Sequence, residues 1–291
     1  MSRDDRLRLA WLGLHPDRMA ALSQQGGATH AMRAIERHRV RVSDPVRERI
    51  VTASEARRYL DRLGLRPVFA DDAEYPADLA ALPGSPDLLF VSGRLPDIAG
   101  VAIVGTRRCT SYGRGVAREM GKAVAAAGWP VVSGLARGVD GAAHEGTVSA
   151  GGIGVAVLGC GGDIVYPPEH RPLRDSLLAS GGAVVSEYPP GTPPEGWRFP
   201  PRNRIISGMS RAVVIVEAPA GGGAQVTASA ALDQGRHVLA VPGDIDRETS
   251  VGCNMLIRDG AVPVLGPDDL IEALTILLNQ APPAEAVKQG S

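Results

Sequence analysis

The feature that most constrains the fold is a regular alternation of short apolar runs with helical segments, beginning at Val101. Three of these runs lead into glycine-bearing loops, at 101–107, 131–138 and 155–162. The run 213–216 is apolar at every position, which is typical of a strand buried on both faces of a parallel sheet. The alternation therefore predicts an α/β fold with a doubly wound, mostly parallel sheet and right-handed crossovers.

The chain divides into three predicted parts: a small helical module at 1–65, a sheet domain at 66–280 and a polar, proline-rich disordered tail at 281–291. In the module, a helix at 53–63 is expected to end at Gly64. Strands are predicted at 66–70, 88–91, 101–104, 130–133, 153–158, 183–186, 212–216, 237–241 and 262–265. Helices are predicted at 113–127, 139–150, 169–180, 201–209, 223–234, 251–259 and 268–279.

Charge and cysteine content limit the partners and the location of the protein. The formal net charge is −1, so any contact with nucleic acid must come from a local basic patch. Lysine occurs only at Lys122 and Lys288, and arginine, which supplies the other cations, is the better bidentate ligand for phosphate. The cysteines show no CxxC spacing, which argues against a disulfide framework or a zinc site and predicts a cytoplasmic protein. We find no apolar leader and no run of the about 20 apolar residues that a membrane helix needs, so no membrane partner is expected.

The segment 199–204 carries the strongest binding signal. It combines a flat ring, two guanidinium groups and an amide, in Phe199, Arg202, Arg204 and Asn203. An unpaired base stacks on such a ring, and guanidinium groups grip phosphate oxygens. The segment therefore predicts a site for single-stranded nucleic acid.

Three glycine loops are predicted to add backbone N–H groups at the same edge of the sheet, because parallel strands end there together. The first loop contains Gly105, Thr106 and Arg107, and it matches neither GxGxxG nor the phosphate loop of ATPases. In the second loop two glycines bracket an arginine, in the set Ser133, Gly134, Arg137 and Gly138. The third loop opens a helix, where Gly222 and Gly223 leave N–H groups free for an anion.

Catalytic chemistry finds little support in these loops. Ser133, Asp140 and His144 are the residue types of a hydrolase triad, but Asp140 and His144 share one predicted helix and no GxSxG elbow is present. A clear third ligand for a metal at Asp140 and His144 is missing. We therefore expect no catalytic residue, no metal and no cofactor, with Asp140 capping its helix and His144 packed in the core.

Several motifs in fixed order make the chain similar to the DNA-processing protein A (DprA/Smf) family. They are Tyr75-Pro76, 101–107, 133–144, 156–162, Tyr166-Pro167, 182–189, 199–206, 217–228, 235–243 and 252–261. The resemblance implies an extended Rossmann-like domain that binds single-stranded DNA and has no catalytic activity. It also implies protection of incoming DNA, loading of the RecA recombinase in natural transformation and recombination, and a homodimer.

The resemblance also assigns individual residues. It makes Arg107 a phosphate ligand and places four residues beside the DNA pocket: Phe199, Arg202, Asn203 and Arg204. It assigns Gly134, Arg137 and Gly138 to the second glycine loop of the family, and the basic residue that often precedes the aromatic falls on Arg198. The chain departs from the family at 222–225, where Gly-Gly-Ala-Gln replaces the usual Ser-Gly-Ser/Ala-Leu.

Two other functions remain open from the sequence. One is a nucleotide-phosphate hydrolase of the phosphoribohydrolase type, and the other is a sensor of small nucleotides on a related Rossmann scaffold. The hydrolase needs a Pro-Gly-Gly-x-Gly-Thr loop followed by a catalytic glutamate, and the loop at 221–225 lacks both the proline and that glutamate.

Overall fold

The computed structural model describes residues 2–279 and Pro283, so the predicted tail at 281–291 lies, apart from Pro283, outside the described residues. The N-terminal part folds into helices as predicted: α1 (Arg3–Trp11), α2 (Pro16–Gln24), α3 (Gly27–Glu36), α4 (Asp44–Arg47) and α5 (Ala53–Leu63). A reciprocal capping box of Thr52 and Glu55 begins α5. Gly64 ends it with a φ of 64°, in the left-handed region that glycine adopts most easily.

The sheet contains nine strands within the described residues: β1 (Arg66–Phe69), β2 (Leu88–Gly93), β3 (Gly100–Val104), β4 (Val131–Ser133), β5 (Gly154–Leu158), β6 (Ala183–Ser186), β7 (Ser210–Ile215), β8 (His237–Ala240) and β9 (Val262–Pro263). Their order is β1-β2-β6-β5-β4-β3-β7-β8-β9. The strands β3 to β9 pair in parallel, while β2 runs antiparallel to both β1 and β6. The prediction of a mostly parallel, Rossmann-like sheet is confirmed.

Helices cover both faces of this sheet. They are α6 (Ala77–Ala80), α7 (Ser111–Ala126), α8 (Val139–Ser149), α9 (Arg171–Ala179), α10 (Phe199–Gly208), α11 (Gly223–Asp233), α12 (Glu248–Arg258) and α13 (Pro267–Leu277). Side chains of β3 alternate between the two layers: Ala102 and Val104 pack towards α10, α11 and α12, and Val101 and Ile103 towards α7, α8 and α13. This two-sided burial explains why the strands read as continuous apolar runs.

The strand order changes direction beside β3. From β3 the chain crosses to β4 on one side, and β7 later adds on the other side. Open α/β sheets bind ligands in the crevice beyond the carboxyl ends of strands at such a switch point. The loops after β3 and β7 therefore flank the place where a ligand is expected.

The N-terminal helices pack on the antiparallel edge of the sheet. Leu7 and Leu60 share one apolar cluster with Phe69 and Phe90 of β1 and β2. The side chain of Arg6 is 7% exposed; it forms ion pairs with Asp71 and Asp87 and lies 4.8 Å from the centre of the Phe69 ring. The division between residues 65 and 66 stays a prediction. Of the described helices, none is long and apolar enough to cross a membrane.

Candidate nucleic-acid interface

A cavity of about 430 Å³ lies at the switch point of the sheet. The loop after β3 forms one wall, the loop after β7 forms another, and the first two turns of α10 contribute a third. Eight of the predicted site residues line it: Gly105, Thr106, Arg107, Phe199, Arg202, Asn203, Gly222 and Gly223. Arg108 also lines the cavity, although only its neighbour Arg107 was predicted.

Phe199 and Arg107 form the centre of this surface. The guanidinium carbon of Arg107 lies 4.7 Å from the centre of the Phe199 ring, within the range of a cation–π interaction. Phe199 also contacts Tyr166 at a centroid distance of 5.7 Å. The ring packs so closely on Gly159 that a Cβ there would lie 2.8 Å from it. Phe199 thus holds the exposed Arg107 at the mouth of the cavity.

Arg107 and Arg108 are exposed cations. Within residues 2–279, no carboxylate lies within ion-pair distance of either guanidinium group. An exposed guanidinium without an acidic partner can bind a phosphate without first breaking an internal ion pair. The mouth of the cavity therefore offers positive charge to an anionic ligand, in a chain whose formal net charge is −1.

Arg202 has a different environment from Arg107, although both approach Phe199. Its side chain is 3% exposed, and its guanidinium donates hydrogen bonds to the carbonyl oxygens of Gly134, at 3.0 Å, and Val157. Burial lowers the pKa of Arg202 to about 10. Through Nη1 the group therefore ties the ends of β4 and β5 together, whereas its buried Nε has no hydrogen-bond partner.

Asp140 works with Arg202 instead of capping a helix as predicted. The residue at the N-cap of α8 is Gly138, and the buried Asp140 carboxylate accepts hydrogen bonds from the N–H groups of Gly134, at 3.1 Å, and Ala136. Burial raises the pKa of Asp140, and the nearby positive charge of Arg202 opposes that rise. The two charged groups therefore fix the second glycine loop from inside.

Close packing explains the glycines of the first two loops. A Cβ on Gly134 would lie 2.6 Å from both the Arg202 guanidinium and the Asp140 carboxylate. A Cβ on Gly105 would lie 2.5 Å from Val139, and one on Gly138, whose φ is 79°, 2.3 Å from the carbonyl oxygen of Thr106. These glycines let the two loops pack against each other, whereas Gly223 has open space around its Cα.

Ser133 and His144 are both fully buried behind the cavity. The Ser133 hydroxyl donates a hydrogen bond to the carbonyl oxygen of Ile103 at 2.7 Å. Burial, together with the nearby His170, lowers the pKa of His144 to about 3, so this imidazole is neutral at pH 7. Ser133 thus contributes to loop packing and presents no hydroxyl to the cavity. The described residues contain no cluster of His, Cys, Asp and Glu able to hold a metal ion.

Two predicted arginines, Arg198 and Arg204, line neither this cavity nor the smaller one that contains Arg137. Arg204 forms a partly buried ion pair with Glu187 at 2.7 Å, beside a separate cavity of about 150 Å³ that the N-terminal helices also line. Arg198 is 7% exposed, donates to the carbonyl oxygen of Pro193 at 2.7 Å and pairs with Glu195. Both guanidinium groups have internal partners, and their part in ligand binding stays a prediction.

Arg137 lies at a second, smaller cavity that shares Arg107, Ala136 and Phe199 with the first. It is exposed and forms an ion pair with Glu169, which raises the pKa of the Arg137 guanidinium and lowers that of the carboxyl group. Tyr166 completes this cavity. The sequence offered a signal for Tyr166, the motif Tyr166-Pro167, but did not connect it with Phe199.

The N-terminus of α11 forms the far wall of the cavity. Gly222 is its N-cap residue and makes no side-chain cap, and the amide of Asn203 donates to the carbonyl oxygen of Gly223 at 3.3 Å. Gln225, which departs from the pattern of the family, accepts a hydrogen bond from the N–H of Gly221 at 2.6 Å. The polar side chain therefore stabilises its own loop. Gly223 and Ala224, in the first turn of α11, line the cavity, and the first turn of a helix has N–H groups without an intrahelical partner that suit an anion.

A doubly wound sheet with an arginine-lined, aromatic crevice at its switch point defines a Rossmann-like protein with a candidate anion-binding site. The model of the family described as DNA recombination-mediator protein A matches residues 66–275, and the chain belongs to this family. It is 43% identical to protein Smf of Escherichia coli over 74% of this chain and 58% of the relative. It is 37% identical to DNA processing protein DprA of Bacillus subtilis over 72% of each chain. Protein Smf of Synechocystis is 41% identical, and the alignment covers 52% of its length. This chain therefore spans only a little over half the length of these two Smf proteins.

Solved structures give the same relationship. DNA processing protein A of Streptococcus pneumoniae superposes with a TM-score of 0.76 and 30% identity, over 94% of this chain and 98% of that one. The protein from Helicobacter pylori, described by its single-stranded DNA binding mode, has a TM-score of 0.61 and 25% identity over 72% and 95% of the chains. The predicted family is confirmed, and the similarity to the first structure includes the N-terminal helices.

Proposed function

We propose that this protein binds single-stranded DNA in the cavity at the switch point and does not act on it chemically. The observation that carries the proposal is Arg107, an exposed cation without an acidic partner in residues 2–279, held over Phe199 at the mouth of the cavity. Guanidinium planes and aromatic rings stack on unpaired bases, and the same guanidinium binds phosphate. Arg108, Arg137 and the N-terminus of α11 supply further phosphate-binding groups around this centre.

The wider role follows from the family relationship. We propose that the protein takes part in DNA processing during natural transformation and recombination, protects incoming DNA and loads the RecA recombinase. We propose in addition that it works as a homodimer in the cytoplasm. These statements rest on relatives named for DNA processing, from Bacillus subtilis and Streptococcus pneumoniae, and on the single-stranded DNA binding described for the Helicobacter pylori protein.

Filter binding with single-stranded and duplex DNA at two salt concentrations tests the proposal. We expect the single strand to bind more tightly, because paired bases cannot stack in the cavity. For three arginine–phosphate contacts the slope of log K against log salt should be roughly −2. Equal affinity for duplex, or binding that salt does not weaken, would contradict the proposal. Release of free base from AMP-type nucleotides would support the phosphoribohydrolase alternative instead.

Replacing Glu169 with glutamine should strengthen binding of single-stranded DNA by about two- to fivefold. The substitution frees Arg137 from its exposed ion pair, so the guanidinium becomes available to phosphate. The effect is small because an exposed ion pair contributes little free energy. Titrations of Glu169→Gln and of Glu169→Gln/Arg137→Ala measure it. A gain that persists in the double variant would show that Arg137 is not the group released.

A further inference from the structure

The surface next to the cavity carries an exposed aromatic residue that the cavity itself does not use. The side chain of Trp197 is 41% exposed, and it belongs to a short 3-10 helix at Gly196–Arg198. Its neighbour Gly196 lines the cavity, and Phe199 follows two positions later. Two residues span at most about 7 Å between Cα atoms. Trp197 is therefore adjacent to the proposed DNA site.

The ring of Trp197 is held by surrounding groups. Its indole N–H donates to Glu195 at 2.6 Å, and the guanidinium carbon of the buried Arg198 lies 4.5 Å from the ring centre. The ring of the buried Tyr188 meets it edge-on at a centroid distance of 6.3 Å. An indole fixed in this way has already lost most of its rotational freedom, so stacking a ligand on it costs little additional entropy.

The N-terminal helices contribute a second ring. His15, at the N-cap of α2, stacks on Trp197 at a centroid distance of 5.4 Å and an interplanar angle of 28°. The His15 side chain is 42% exposed and accepts a hydrogen bond from the N–H of Asp17 at 3.3 Å. The pair of His15 and Trp197 thus forms an exposed aromatic stack where the helical module meets the sheet domain.

We propose that the stack of His15 and Trp197 is a second base-binding position, which takes an unpaired base of the strand leaving the cavity. This inference rests on the proposed function, because it extends the same DNA site. It gives the N-terminal helices a direct contact with the strand. The ligand is a nucleobase of any sequence, since every base has a flat face that can stack. Phosphate binding stays with Arg107, and the stack adds affinity only for strands long enough to reach it.

Tryptophan fluorescence gives a selective readout. The other two tryptophans, Trp11 and Trp129, are 8% and 3% exposed, so a stacked base should quench Trp197 alone. Titration with oligo-dT of increasing length should show short strands that bind without quenching and longer strands that bind more tightly and quench the emission. In Trp197→Ala, the longer strands should lose about tenfold in affinity and the shortest should bind as in the wild type.

Three controls make the result decisive. Trp197→Phe keeps a stacking ring and should retain most of the length dependence. His15→Ala should reduce the gain, because half of the stack is removed. Tyr59→Ala removes an aromatic ring of similar exposure, 39%, on α5 and should change nothing. Binding with full Arg107 dependence but no effect of Trp197→Ala would overturn this inference and leave the proposed function intact, whereas no binding of any oligonucleotide would overturn both.

Discussion

Replacing Arg107 with alanine should weaken binding of a single-stranded oligonucleotide by about 10- to 100-fold. The variant loses a charge-assisted contact to phosphate and the cation that lies over Phe199. Because one phosphate contact disappears, the slope of log K against log salt should also become shallower by about 0.7. Fluorescence anisotropy with a labelled oligo-dT at several salt concentrations measures both quantities. The fold should be unaffected, since the side chain is exposed.

Arg94→Ala is the matched control for Arg107→Ala. The Arg94 side chain is 79% exposed, and among residues 2–279 it pairs only with Asp97, whose side chain is 84% exposed. It follows β2, whose antiparallel direction places it at the edge of the sheet opposite to the cavity. Its loss should leave affinity and salt slope unchanged. If both variants lose affinity to the same degree, binding reflects general charge, and the cavity is not the site.

Arg202→Ala should lower the free energy of unfolding by about 3–5 kcal/mol, the largest effect expected for any single arginine of the site. The substitution removes the hydrogen-bond donors of two buried carbonyl groups, at Gly134 and Val157, and leaves the Asp140 carboxylate buried without its nearby cation. Chemical denaturation followed by circular dichroism measures the loss. DNA affinity should fall as well, because the second glycine loop and Phe199 lose their support.

The double variant Asp140→Asn/Arg202→Ala separates the two origins of that loss. Neutralising Asp140 removes the unpaired charge, so part of the stability should return while the two carbonyl groups stay without donors. The salt slope of any remaining DNA binding should equal that of the wild type, because Arg202 contacts no phosphate in our proposal. A stable Arg202→Ala protein with a shallower salt slope would instead place this guanidinium on the DNA.

The sequence predicts the sheet well because its signals are local. Each parallel strand is a short apolar run. Each crossover helix contains enough polar positions to be distinguished from a strand in the sequence. The short helix α6 is not predicted, and the other differences lie at the ends of elements. For example, α10 begins at Phe199, two residues before the predicted start, and β9 stops at Pro263. Where a helix ends depends on which residues satisfy its terminal N–H groups, and the hydrophobic periodicity of the sequence does not show this.

The roles of the arginines are harder to predict, because the composition of a segment does not show which way each side chain points. On an α-helix, side chains two positions apart point in directions that differ by about 200°, so Arg202 and Arg204 cannot both face one cavity. Five residues of α10 line it: Phe199, Pro200, Arg202, Asn203 and Ile206. All of them except Pro200 have the spacing of a single helix face. That spacing was available from the sequence. The carbonyl groups that accept hydrogen bonds from Arg202 belong to segments distant in the sequence, so this contact could not be predicted from it.

The shared cluster between the first helices and the antiparallel strands has a practical consequence. The aligned family region begins at residue 66, so a shortened protein would naturally be started there. Such trimming would remove Leu7 and Leu60 from the outer strands and leave the aromatic side chains of Phe69 and Phe90 facing water. Exposed apolar side chains on the outer strands promote self-association, so we expect the shortened protein to be poorly soluble. The limits of a family alignment show where sequences are related, whereas burial shows which apolar surfaces must stay covered.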